Sequence, residues 1–237
     1  MAELDDAIDK ISQSIATTGA LTCEASRRYD EMFQTFRREL EHALDAQPTM
    51  ADAARLAMSM VDTASKAIAS SFPNPQHHDC CDQCSACCNL FVSVPPGVTS
   101  LIADHIRKTF DHREQTDLLA RLKNAAAIIE QSKTTAEVRV RCPLLGEDNR
   151  CSIYDVRPLS CRAFTSSDAG RCHRMVFGDD SERATTIDQD PGHYRLHIEA
   201  TDALQQTASR RKLNPRQKGF VHALLNQLDP AIKSPSV

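Results

Sequence analysis

Tryptophan is absent from this 237-residue chain, and aromatic residues of all kinds make up only 5% of it. Any aromatic-rich binding surface is therefore small. No run of about 18 apolar residues occurs, so no membrane-spanning helix is expected. The opening Met1-Ala2-Glu3-Leu4-Asp5-Asp6 is acidic and lacks the basic-then-apolar pattern of a secretory signal. The expected compartment is therefore the cytoplasm. A strong basic excess is missing too: Lys+Arg 28 against Asp+Glu 32 gives a net charge of −4, which argues against a nucleic-acid partner. There is no glycine-rich nucleotide loop, no internal repeat and no low-complexity tract. With 41% hydrophobic and 25% charged residues, the chain has the composition of a folded protein.

Cysteine is what the chain has in excess. There are ten, and nine lie between residues 80 and 172. In a reducing compartment such density points to metal rather than disulfides. The first group is Cys80-Cys81-Asp82-Gln83-Cys84-Ser85-Ala86-Cys87-Cys88, which from Cys81 reads C-x-x-C-x-x-C-C. Two intervening residues let the chain turn tightly enough to aim two thiolates at one centre, in zinc knuckles and iron–sulfur loops alike. Adjacent side chains diverge, so Cys87 and Cys88 suit two centres or a bridge. The second group is Cys142, Cys151, Cys161 and Cys172. Gly146-Glu147-Asp148-Asn149 is turn chemistry that lets Cys142 and Cys151 meet across a short loop. Pro158 can start a helical turn with Cys161 near its N-terminus, where the dipole favours thiolate.

Helical periodicity flanks the cysteines. Leu4, Ile8, Ile11 and Ile15 form one apolar stripe. A second helix is predicted from about Ala25 to Ala46 and a third around Leu56–Ile68. The prolines of Phe72-Pro73-Asn74-Pro75 end that run. Further helices are predicted over Ser100–Phe110, Arg113–Gln131, Tyr194–Arg211 and, with Asn214 as N-cap and Pro215 at the first position, up to Leu228. Leu90–Val94 and Val138–Val140 are short strand candidates. The expected fold is mainly α, with helical parts at residues 1–75 and 181–237 around a loop-rich cysteine domain at 76–180. The tail at 233–237 is expected to fray.

The C-x-x-C-x-x-C-C knot is followed by Cys142-Pro143-Leu144-Leu145 and then by Cys151-Ser152-Ile153-Tyr154-Asp155-Val156-Arg157-Pro158-Leu159-Ser160-Cys161-Arg162-Ala163-Phe164. Together they resemble the YkgJ family of cysteine-cluster proteins, which carry a zinc- or iron-chelating domain. The resemblance spans roughly Cys80 to Cys172. It implies Cys81, Cys84, Cys87, Cys88, Cys142, Cys151, Cys161 and Cys172 as metal ligands, with chelation rather than a defined reaction as the function. The cluster is also similar to that of flagellin lysine N-methylases, which implies a component of a protein-modifying enzyme as another reading; whether there is catalysis stays open.

Eight thiols divide into two closed four-thiolate zinc sites, while the three-cysteine loop also suits an iron–sulfur cluster. Zn2+ at one or two sites is the leading expectation, an iron–sulfur redox protein the alternative. A structural metal would present the helices to a protein partner. The two cysteine groups are expected to meet in one site, with Val138–Val140 running beside Leu90–Val92 and delivering Cys142 next to Cys88. Seven arginines and no lysine fall within 139–174, against Glu147, Asp148, Asp155 and Asp168. They can offset thiolate charge around the metal or brace the loops; an anionic partner is the other use. The acidic residues read as loop solvation, and Tyr154 as packing on the metal loop. Cys23 is expected to be a buried small hydrophobe and Cys80 a spare thiol. His77, His78 and His173 flank the cysteines; imidazole can replace thiolate on zinc, but such neighbours are more often surface residues.

Overall fold

The computed structural model describes residues 2–72, 78–183 and 186–229, with side chains from residue 8 onward except that of Asp180. The Pro73–Pro75 break, His77 and the tail lie outside the described residues. The chain is mainly α. Two compact units divide it, Met1–Glu39 and Leu40–Val237.

The two helices expected before Pro48 are one, α1 (Ala2–Asp45). No proline or glycine pair interrupts the sequence between the two stripes, so the helix runs through. In the first unit, Ile8, Ile11, Ile15 and Leu21 are exposed, Ile15 at 68%. Cys23 is exposed as well, which corrects its expected burial.

In the second unit, α2 (Met50–Ser71) starts at Thr49, whose hydroxyl accepts the Asp52 N–H. It packs on α8 (Pro191–Arg210) and on α3 (Val98–Thr109). Small residues are frequent on the buried sides of both α2 and α8: Ala53, Ala54 and Ala57 on α2, and Ala200, Ala203 and Ala208 on α8, are all fully buried. Small side chains let two helices approach closely. Between α3 and α4 (His112–Gln131), Asp111 and Glu114 form a capping box. Helix α9 (Phe220–Leu228) lies against α3 and α4. Arg210 pairs with Glu41 at 3.0 Å and Asp45 at 2.9 Å, and Arg211 donates to the Leu44 and Gln47 carbonyls, tying the end of α8 to the end of α1.

The helix predicted from Asn214 begins only at Phe220. Asn214 Oδ1 accepts the Arg216 N–H in a local turn. Lys218–Gly219 (β2) then pairs antiparallel with Ser93–Val94 (β1). Backbone committed to that pairing cannot join a helix. Of the Leu90–Val94 candidate, only Ser93–Val94 forms a strand.

Leu101, on α3, is fully buried at the heart of this unit. Leu101→Ala should lower unfolding free energy by about 2–5 kcal/mol, the cost of lost transfer energy plus a cavity. Urea denaturation measures it, and metal content should stay unchanged.

Candidate metal centre

Residues 78–89 carry no long element. The Cys84 N–H donates to the Cys81 carbonyl at 3.1 Å, and Gln83 takes the left-handed conformation (φ 69) that this tight turn needs. A single 3-10 turn, Ala86–Asn89, follows, and the Asn89 side-chain amide donates back to the Ser85 and Ala86 carbonyls.

The later cysteines are carried to this knot by backbone pairing. Leu90 and Arg139 form an isolated antiparallel bridge. The Val140 N–H donates to the Asn89 carbonyl at 3.0 Å, and the Cys142 N–H to the Cys88 carbonyl at 2.8 Å. Cys142 therefore sits beside Cys88, as the paired strand candidates predict. A second bridge joins Leu145 to Cys151, closed by the Gly146 N–H donating to the Arg150 carbonyl at 2.8 Å. Asn149 occupies the left-handed region in that turn (φ 60). Cys161 lies on the short helix α5 (Leu159–Ala163), anchored by Ser160 Oγ donating to the Ser93 carbonyl at 2.6 Å. Cys172 is buried on α6 (Ala169–Phe177). Residues 79–80 are stitched to the start of α6. The Asp79 N–H donates to the Ser166 carbonyl, the Ser166 N–H to Cys80 Sγ at 3.3 Å, and the Ala169 N–H to Asp79 Oδ2.

One cavity of about 1070 Å³ collects the result. Cys80, Cys81, Cys84, Cys87, Cys88, Cys142, Cys151 and Cys161 line it, while the buried Cys172 is not among its lining residues. Their mutual influence falls into two neighbourhoods joined at Cys87. Cys80 and Cys84 each feel Cys87 and Cys172, and Cys84 feels Cys81 as well. Cys161 feels Cys142, Cys87 and Cys151. Burial pushes the Cys161 thiol well up and Cys142 to about 11. Cys87 is also raised, first by its hydrogen bond with Cys88 and then by burial. The helix start at Pro158 therefore does not make Cys161 a ready thiolate: desolvation outweighs the field of a five-residue helix.

Among the described residues, no three His, Cys, Asp or Glu side chains are gathered around one point as a metal-binding group. The donor chemistry nevertheless fits zinc or iron. The wall is rich in thiols, thiolate is the preferred ligand of both zinc and iron–sulfur centres, and a metal supplies the charge that makes deprotonation favourable in such a site. Arg157, stacked over the Tyr154 ring at 4.4 Å, lowers the cost of ionising Cys87, Cys151 and Cys161. Arg141 does so for Cys142. The other arginines brace the loops. Arg150 binds Asp82 at 2.6 Å, Arg162 binds Asp62 and the Asp155 and Arg157 carbonyls, and Arg139 donates to the Val176, Ala136 and Val138 carbonyls. Arg171 pairs with Asp188 and Arg174 with Asp168. Tyr154 is 59% exposed rather than packed into the loop. His173 is exposed, lies against Phe177 and is not among the residues lining the cavity.

Sequence reading weighed His78 but missed Gln189, His193 and His197. His78, Gln189, His193 and His197 line the same cavity around the start of α8. His197 is 2% exposed, and burial holds its ring at a pKa of about 4. The usable signal was H-x-x-x-H, two histidines one turn apart on a helix. Unfolded, this ring titrates near about 6.5. Stability from the neutral buried ring is therefore present above about pH 6.5 and lost as pH falls towards 4. Urea denaturation at about pH 7 and pH 4.5 should differ by about 2–3 kcal/mol more in wild type than in His197→Gln.

No helix among the described residues is long and apolar enough to cross a membrane. No curated protein and no solved structure matches the chain. Residues 80–187 do match a family model, CxxCxxCC, described as "Putative zinc- or iron-chelating domain". The match encloses the knot, both bridges, α5 and Cys172, so this segment of the chain is similar to the zinc- or iron-chelating domains that the model describes.

Proposed function

We propose that the chain is a zinc-binding protein whose metal is structural. The observation that carries this reading is that seven cysteines besides Cys80, brought from as far apart in sequence as residues 81 and 161, line one cavity. Cys81, Cys84, Cys87, Cys88, Cys142, Cys151, Cys161 and Cys172 would hold one or two Zn2+. Cys80, with its sulfur already accepting the Ser166 N–H, is the spare thiol. The segments joined here have few helices and two isolated bridges of their own, so ligand bonds would supply much of their cohesion. A domain clipped in this way holds the surrounding helices ready for a protein partner. The exposed Ile8, Ile11 and Ile15 of α1 suit an apolar partner surface.

An iron–sulfur cluster is the second reading, favoured by a cavity larger than one tetrahedral ion needs. Elemental analysis with an absorption spectrum, on protein purified without oxygen, tests both. Zinc at one or two equivalents with no visible absorption is the expected result. Iron with strong visible absorption would replace the first reading by the second, and no metal of either kind would defeat both.

A further inference from the structure

The start of α8 carries chemistry that the thiol cluster does not use. His197 Nδ1 lies 2.8 Å from the His193 carbonyl, and His193 Nε2 lies 2.9 Å from the Arg162 carbonyl. A carbonyl only accepts, so each of these ring nitrogens carries the proton. In the neutral rings, the lone pairs are therefore at His197 Nε2 and His193 Nδ1. The two rings are neighbours, with centroids 4.4 Å apart. His197 is 2% exposed, lines the cavity, and its Nε2 meets no hydrogen-bond partner. A buried acceptor left empty carries a desolvation cost that a ligand would recover. Close by, His78 Nε2 is 4.0 Å from Asp190, the cap of α8, while its Nδ1 is also buried without a partner.

We propose that His193 and His197 form a two-nitrogen site for a borderline divalent cation such as Zn2+ or Ni2+, separate from the cysteine ligands. Three features support a metal over a simple hydrogen-bond donor. Histidines four apart on a helix share one face, which is the spacing metal sites use. Metal-bound histidines donate their other ring N–H to a carbonyl or carboxylate, which fixes the tautomer, and both rings here already do so. A metal about 2.0–2.1 Å from each nitrogen sits roughly 3 Å from each ring centre, so rings sharing an ion have centres within about 6 Å. The observed 4.4 Å falls inside that limit. Burial keeps His197 neutral at physiological pH, with its lone pair available. Asp62 favours positive charge at this ring and Arg162 opposes it, and the two are paired with each other at 3.0 Å. Two protein ligands leave coordination positions for water or a small-molecule donor in the cavity.

The full chain, carrying whatever metal it purifies with, is titrated with Zn2+ by calorimetry while the histidine ring nitrogens are followed by NMR. Wild type should take up one further Zn2+, and the signals of His197 Nε2 and His193 Nδ1 should shift. His193→Gln and His197→Gln should each weaken that uptake by at least about 100-fold, more than the loss of an outer-sphere partner costs, and leave cysteine-bound metal in place. Cys84→Ser should leave the histidine response intact, so failure of the thiol assignment and failure of this site are distinguishable. Unchanged uptake in both histidine variants, or unmoved ring signals in wild type at saturating Zn2+, would overturn the proposal. The wild-type spectrum decides even if a variant does not fold.

Discussion

Replacing Cys84 or Cys161 with serine is expected to lower metal content and to destabilise the chain by about 3–4 kcal/mol. The figure follows from linkage: a ligand loss that weakens metal binding about 100- to 1,000-fold removes about 2.7–4.1 kcal/mol of folding free energy. For a chain of this size that is a drop in melting temperature of roughly 6–15 °C. The two positions sit in different segments. Cys84 ends the tight turn after Cys81, and Cys161 sits on α5 beneath β1. If either group of cysteines were a structural bystander, only one of the two variants would respond. Cys23→Ser, on an exposed face of α1, should change neither metal content nor stability appreciably. Complete removal by a strong chelator should cost more than either single variant, because it frees both segments at once. Elemental analysis and thermal denaturation, run on the same samples, provide the check.

Metal affinity should rise steeply with pH, and should keep rising beyond the range where ordinary thiols level off. An ordinary thiol titrates near about 8.5. In the metal-free fold the thiols of Cys84 and Cys151 are raised by burial, and Cys142 reaches about 11. These groups are protonated throughout the neutral range, and metal must displace each proton it replaces. The affinity for Zn2+ should therefore climb about tenfold per pH unit for every thiol proton released, or up to roughly 10⁴-fold per unit for a four-thiol site. The same shifts act oppositely on the metal-free chain. Its unfolded state ionises above about pH 8.5 while its folded thiols stay neutral, so its stability falls from there upward. The metal-bound chain, with thiolates already formed, should not show that alkaline loss. Competition with a coloured chelator at about pH 6.5, 7.5, 8.5 and 9.5, a range that brackets the ordinary thiol, measures the first effect. A flat profile would mean that thiols are not the ligands.

The helical frame was legible because its signals are local. Apolar residues at three-to-four spacing announce α2, α3, α4 and α8, while the Asp111–Glu114 capping box and the Asp190-Pro191 start of α8 went unread. The meeting of Cys142 with Cys88 was legible from an inference about chain return, since a hairpin of α3 and α4 brings the strand candidates side by side. What failed depended on distant partners. Asn214-Pro215 carries a good helix-start signal, but β1 claims the backbone of Lys218–Gly219. The apolar stripe Ile8–Ile15 forms its helix, yet a stripe does not reveal whether anything covers it. Cys161 follows a proline that starts a helical turn, but burial from all sides sets its ionisation. The α8 histidines escaped notice because their significance lies in which carbonyls their other nitrogens meet, one of them 31 residues away.

Metal-edge X-ray absorption on the full chain, purified without oxygen, tests the central claim most directly, since it reads the ligand atoms themselves. Thiolate coordination predicts bound zinc or iron with a first shell dominated by sulfur at about 2.3 Å, weakened in both Cys84→Ser and Cys161→Ser. A first shell of nitrogen and oxygen alone, or a chain that binds neither metal, would contradict it.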